Sequence, residues 1–323
     1  DGFADYPAWN SVDGNDPDIR AGTSTGKHGD PNGNLWLPLE CDARIRANWM
    51  YQDDNTLKSL DYLMEMYYGS VGRGAVLLLN NTPDTTGLMQ IDGAAAVPVY
   101  EAALRSGIQI ATHAIGDRGN ASVADWYAEA LEAVPASERP NGEDVRWRIE
   151  HAQILRPQDY RWFVDLPIIA SMQPSHAIGD LHFAPARLGD ARLDGAYAWH
   201  SLVDIGVVVV GGSDAPVERG DPAIEFYAAV ARRDLSGFQG PDWRPDEAVD
   251  RMTALHMFTL WPAYASFRED ELGTIEPGKR ADFTAFDIDL MTAPEAELPN
   301  ARAVLTIVDG EVVYRAGDDT SRP

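Results

Sequence analysis

Short apolar runs alternate with longer stretches of helical period through most of this chain, and that alternation limits the fold more than any other feature. Candidate strands lie at 43–49, 75–79, 108–112, 145–149, 167–172 and 207–210. Candidate helices fall at 56–68, 97–106, 121–134, 158–164 and 246–265. Strands joined by helical crossovers run parallel, and the helices then cover both faces of the sheet. A parallel α/β architecture is expected, either most of a (β/α)8 barrel or a doubly wound open sheet. The alternation alone does not separate the two.

The two ends read differently. Residues 1–40 are rich in Gly, Asp, Asn and Pro and read as a long loop. The tail holds a turn at 273–279, then apolar runs at 281–286, 303–308 and 312–314, the last two joined by Asp309-Gly310, a hairpin-type dipeptide. The expected division is an α/β body over 1–265 and a small β portion over 266–323.

Charge narrows the partners. Asp and Glu number 51 against 26 Lys and Arg, a net charge of −25 over 323 residues. That field repels phosphate backbones and anionic membrane surfaces, so neither nucleic acid nor membrane is an expected partner, and a small molecule is. A single cysteine, Cys41, excludes an internal disulfide and a cysteine zinc site. No run of 18 apolar residues exists to span a bilayer. The first residues, Asp1-Gly2-Phe3, show neither an initiator Met nor a signal peptide, and a cytoplasmic location is expected.

Three strand ends carry groups able to hold a metal. His113 follows Ile110-Ala111-Thr112, His151 follows Trp147-Arg148-Ile149-Glu150, and Asp214 follows 207–210 through Gly211-Gly212-Ser213. In parallel α/β folds, ligands gather outside the carboxyl ends of the strands. Two imidazoles and one carboxylate suit Zn²⁺, with Fe²⁺ or Mn²⁺ also compatible. Gly211 and Gly212 would let the backbone approach such a site closely. Singly, each histidine also reads as a structural hydrogen-bonding group, and Asp214 as a turn starter ahead of Pro216. Together they favour a metal, because core packing has no reason to set ionisable groups repeatedly at strand ends.

A fourth strand end, Met172-Gln173-Pro174-Ser175-His176, offers His176 as a proton donor or carbonyl polariser, or simply as a hydrogen-bonding loop residue. Asp117 reads as a helix N-cap and His256 as a packed core residue, while His28, His182 and His200 take no role. Phe183, Trp199 and Trp243 read either as pocket lining or as packing. Phosphate-loop and dinucleotide fingerprints are absent.

The runs His113-Ala114-Ile115-Gly116-Asp117-Arg118, Arg148-Ile149-Glu150-His151-Ala152-Gln153, Gln173-Pro174-Ser175-His176 and Gly212-Ser213-Asp214-Ala215-Pro216-Val217 resemble, in matching order, amidohydrolase family 3. The tail 272–282 is similar to that family's return to its β-sandwich. The resemblance implies a (β/α)8 barrel of the amidohydrolase type, with its third to eighth strands visible here, and a small C-terminal β-sandwich part. It implies a metal-dependent hydrolase of carbon–nitrogen bonds, such as non-peptide amides or formamides. His113, His151 and Asp214 would be the metal ligands. Asp214 would also take a proton from the metal-activated water and pass it to the leaving amine.

Two departures from the pattern matter. No His-x-His occurs, and the 75–79 run lacks a bridging lysine; Lys27, Lys58 and Lys279 are the only lysines and none lies at a strand end. A single Zn²⁺ is therefore expected rather than a lysine-bridged pair. The chain is expected to lack the first strands of its barrel, and to form a homo-oligomer or recruit a partner segment to cover the open edges. The alternatives are a catalytically incomplete remnant with a binding or assembly role, and a metal-dependent esterase or lactonase.

Overall fold

The computed structural model describes residues 93–241 and 243–317, together with 11–12, 32, 35–36, 40–44, 56, 58–70 and 76–80. The chain divides into two compact units, one of Asp1–Ala103 with Glu129–Ala133, the other of Leu104–Ala128 with Val134–Pro323.

In the first unit, β1 (Ser11–Val12) pairs antiparallel with β2 (Leu35–Trp36), so the opening stretch is not wholly the loop its composition suggests. Strand β3 (Glu40–Arg44) lies parallel to β4 (Val76–Asn80), with Glu40 opposite Val76 and Arg44 opposite Asn80. The connection includes α1 (Leu60–Ser70), whose Leu63 and Met66 pack with Ala43 and with Val99 of α2 (Gly93–Ser106). Strand β3 begins three residues before the expected 43–49 run, and 45–49 lie outside the described residues.

The second unit holds a four-stranded parallel sheet in the order β5 (Ala111–Ala114), β6 (Trp147–His151), β7 (Ile168–Met172), β8 (Val209–Gly211). All of β7 is buried, which is why its sequence is apolar except at Ser171 rather than alternating. The six expected strands thus fall into sheets of two and four among the described residues. Helix α3 (Asp117–Ala133) follows β5 and buries Val123, Ala124 and Tyr127 at helical spacing. The Tyr127 hydroxyl donates to Thr112 Oγ1 at 2.6 Å or to Arg148 O at 3.0 Å, fixing the helix over β5 and β6.

Short helices connect the later strands: α4 (Trp162–Asp165), α5 (Pro174–Asp180), α6 (Ala184–Leu188), α7 (Asp190–Leu193) and α8 (Trp199–Asp204). Helix α9 (Pro222–Ala231) starts where Asp221 accepts the Ala223 N–H at 2.9 Å and Pro222 supplies a preset first-turn φ. The expected helix 246–265 is two, α10 (Arg251–Phe258) and α11 (Leu260–Ala265), broken at Thr259. Pro262 explains the break: inside one continuous helix its ring would meet the Phe258 carbonyl, and it has no N–H to donate there.

The tail is a three-stranded antiparallel sheet in the order β11 (Glu311–Arg315), β10 (Ala303–Val308), β9 (Phe283–Phe286). Asp309 and Gly310 join β10 to β11 with φ of 52° and 81°, the left-handed pair that a tight hairpin requires. No helix among the described residues is long and apolar enough to cross a membrane.

Candidate metal centre

Adjacent carboxyl ends of the parallel sheet deliver the polar groups. His151 closes β6, His176 lies in α5 just after β7, and Asp214 follows β8. One ligand atom from each lies within 4.8 Å of the other two. His113, on β5, adjoins the group: its ring centroid is 4.4 Å from that of His151, at 72°. The rings of His151 and His176 stack at 5.8 Å and 20°. All four residues singled out in the sequence come together. The convergent trio contains His176 in place of His113, which the strand-end pattern offers as a ligand.

Backbone geometry supports a built site. His151 and Asp214 have φ of 74° and 54°, and Ala152, next to His151, has 42°. Such conformations cost a non-glycine residue about 1–3 kcal/mol and persist where the surroundings impose them. The surroundings here are well tied. Asn120 Nδ2 donates to Ile115 O, Gly116 O and Ile154 O at 3.0–3.2 Å, joining the loops after β5 and β6. Asp180 accepts from Gln153 Nε2 at 2.9 Å and from the Tyr197 hydroxyl at 2.6 Å.

The electrostatics favour neutral imidazoles. His113 is exposed on one side yet crowded by protein on the other; this desolvation, then the His151 imidazole, pushes its pKa down to about 4. Burial, again followed by His151, lowers the His176 pKa. Neutral imidazoles keep the lone pair that a metal needs. His176 Nε2 is buried without a hydrogen bond, with Asp214 Oδ2 at 3.8 Å and Glu218 Oε1 at 4.0 Å. An orphaned imidazole nitrogen facing two carboxylates, beside a second imidazole, fits a divalent cation.

A cavity of about 180 Å³ opens beside this group, lined by Ser175, Ile178, Glu218, Asp221, Ile224 and Glu225 among others. Glu218 and Glu225 had no signal in the sequence, because acidic residues are common throughout this chain. Gln173 was visible only as part of a motif.

Other expectations resolve plainly. Asp117 opens α3 and pairs with the Arg192 guanidinium at 2.9 and 3.0 Å. His256 is half-buried with its ring 5.8 Å from that of Trp261, and His182 bonds Asp234 at 3.0 Å at the surface. Trp199 and Trp243 are core residues, while Phe183 is exposed. A Cβ on Gly211 would collide with the Phe258 ring, whereas one on Gly212 would meet nothing within 4 Å. The glycine at 211 therefore serves helix packing, not close approach to the metal site.

A model of the amidohydrolase family matches residues 39–314. Over 251 residues the chain is 34% identical to the protein LONG AFTER FAR-RED 3 of Arabidopsis thaliana, covering 76% of this chain and 41% of that protein. Over 220 residues it is 34% identical to N-substituted formamide deformylase of Arthrobacter pascens, covering 67% of this chain and 39% of that enzyme. The chain thus spans less than half the length of these relatives. An uncharacterized metal-dependent hydrolase from Pyrococcus horikoshii OT3 shares the fold, with a TM-score of 0.58 at 20% identity over 89% of this chain and 57% of that one. A shorter likeness, 39% identity over 66 residues, links 20% of this chain with 13% of alpha-L-fucosidase 1 of Arabidopsis thaliana, and is too short to carry a site.

Proposed function

The chain belongs to the amidohydrolase family, and from that premise we propose that it hydrolyses a carbon–nitrogen bond in a non-peptide amide or N-substituted formamide, using one divalent metal. The observation that carries this reading is the convergence of His151, His176 and Asp214, with an orphaned imidazole nitrogen among them. Likeness to a formamide deformylase favours the carbon–nitrogen class.

The three convergent residues would hold the ion, with His113 the next imidazole in reach. A donor set of imidazole nitrogens and a carboxylate oxygen favours Zn²⁺, and among the described residues neither Lys58 nor Lys279 ends a strand, which favours a single ion. When bound, the ion supplies Lewis acidity, which lowers the pKa of water toward neutrality and polarises a carbonyl.

Asp214 has two carboxylate oxygens, so it can share one with the ion and keep the other for a proton. In this reading it accepts a proton from the attacking water as the water oxygen bonds to the carbonyl carbon. It then delivers that proton to the nitrogen as the C–N bond breaks, leaving a carboxylic acid and an amine. Glu218, whose Oε1 lies 4.0 Å from His176 Nε2, also lines the neighbouring cavity.

The test is metal content and turnover in one preparation. About one zinc per chain, with hydrolysis of an N-substituted formamide that is lost in Asp214→Asn, supports the reading. Under 0.1 metal per chain after zinc loading, with no turnover, overturns it in favour of a non-catalytic remnant. Faster turnover of the matched ester would assign the site to an esterase or lactonase.

A further inference from the structure

Gln173 takes no part in the steps above, yet its side chain is buried, at 6% exposure, against His151, at 8%. Gln173 Oε1 lies 2.8 Å from His151 Nδ1. A neutral imidazole carries its hydrogen on one nitrogen only, so the group facing Nδ1 decides what Nε2 can do. An amide oxygen only accepts. Facing it, Nδ1 carries the hydrogen and the lone pair is left on Nε2.

We propose that Gln173 is a positioning residue that locks His151 in its Nδ1–H tautomer and so presents the Nε2 lone pair as a donor to the divalent cation. This rests on the metal reading given above. An unconstrained histidine side chain prefers the opposite tautomer, with Nε2 protonated, so the lock changes what the ring offers.

The backbone holds both partners in place. Gln173 is the residue after β7 and precedes Pro174, which disfavours the helical region for it; its φ and ψ are −122° and 103°. The Gly212 N–H donates to Met172 O at 3.0 Å, fastening the same strand end to β8. His151, on the neighbouring strand, is held at φ 74°. Metal-binding histidines commonly donate their second ring N–H to a fixed acceptor, which sets ring orientation and raises ligand basicity. Gln173 supplies that acceptor from the next strand.

The experiment uses the full chain with ¹⁵N-labelled histidine, stripped of metal. Two-bond ¹H–¹⁵N spectra report which ring nitrogen is protonated, and His151 is assigned by the signal lost in His151→Gln. The wild type is expected to show the Nδ1–H tautomer. Gln173→Met is expected to shift His151 toward Nε2–H and to lower Zn²⁺ affinity about 10- to 100-fold in chelator competition. Gln173→Glu keeps an acceptor at the same reach, and is expected to retain both the tautomer and an affinity near that of the wild type.

A wild-type His151 protonated at Nε2 overturns the proposal without any variant having to fold. So does a tautomer unchanged in Gln173→Met. If the spectra behave as expected while the wild type binds no zinc, the lock stands and the metal reading falls.

Discussion

The backbone N–H of Ser175 donates to Glu225 Oε2 at 3.0 Å, tying the segment that carries His176 to the first turn of α9. Glu225 is 3% exposed. Burial is the main influence on its carboxyl group, and it outweighs the Ser175 N–H hydrogen bond to push the pKa from 4.5 up to about 7. The folded chain therefore holds this proton more tightly than the unfolded one. The resulting stability is full below about pH 4.5 and is lost as pH rises through 7, a change of about 3 kcal/mol. Glu225→Gln keeps an acceptor for Ser175 and removes the titration. Urea unfolding at pH 5 and pH 8 should show a smaller loss of stability for Glu225→Gln than for the wild type. Equal losses would contradict the assignment.

Metal removal should be visible in stability as well as in rate. A ligand that binds only the folded chain stabilises it by about 2.7 kcal/mol at 100 times its Kd. Chelation should lower the thermal midpoint, and zinc should restore it at one equivalent per chain. His176→Ala should abolish most of that zinc-dependent gain, because His176 belongs to the convergent trio. His113→Ala should reduce it less, because His113 lies outside the trio, with its ring against that of His151. Differential scanning calorimetry with and without zinc reads all three cases. A larger loss in His113→Ala would restore the ligand set inferred from sequence alone.

Gly211 ends β8 against Phe258, the last residue of α10. A Cβ there collides with the ring, so Gly211→Ala must displace the ring or the strand end that leads to Asp214. Overpacking of this kind costs about 1–3 kcal/mol. Phe258→Leu in the same chain should return part of that loss, a coupling that a double-mutant cycle in urea measures. Additive effects would mean that the strand end accommodates the methyl without the ring.

The sheet was legible where burial is two-sided, and its limits were not. The 167–172 run contains all of β7 because every residue of that strand is buried. At β6 the expected 145–149 became 147–151, because Arg146 has a left-handed φ of 44° and the extended run starts after it. Residue type at 146 gives no hint of that. The site followed the same rule. His113, His151, His176 and Asp214 were visible as ionisable groups at strand ends. Which three converge most closely depends on side-chain direction, and periodicity does not encode it. Glu225 and Gln173 matter through single hydrogen bonds to partners 50 and 22 residues away, beyond the reach of local pattern.

Arg232 is the buried charge that the sequence concealed most completely. Its guanidinium is 0% exposed and donates to Trp243 O at 2.9 Å, Tyr197 O at 2.8 Å and Ala196 O at 2.7 Å. It also lies 4.6 Å from the ring centre of Trp199 and 5.6 Å from that of Trp243. Burial lowers its pKa to about 10, the Glu247 carboxylate opposing, so it stays charged at neutral pH. Three carbonyls depend on one planar fork. Lysine has donors enough but a single nitrogen to aim them from, and methionine has none. Leaving a buried acceptor unpaired costs about 1–3 kcal/mol. Arg232→Lys should therefore lose about 2–3 kcal/mol and Arg232→Met about 3–5 kcal/mol in urea unfolding. Arg232→Met should also change tryptophan fluorescence in the folded state, because Trp199 and Trp243 lose the cation that faces them. A Met variant as stable as the wild type would show that the two indoles and the three carbonyls close over the gap without it.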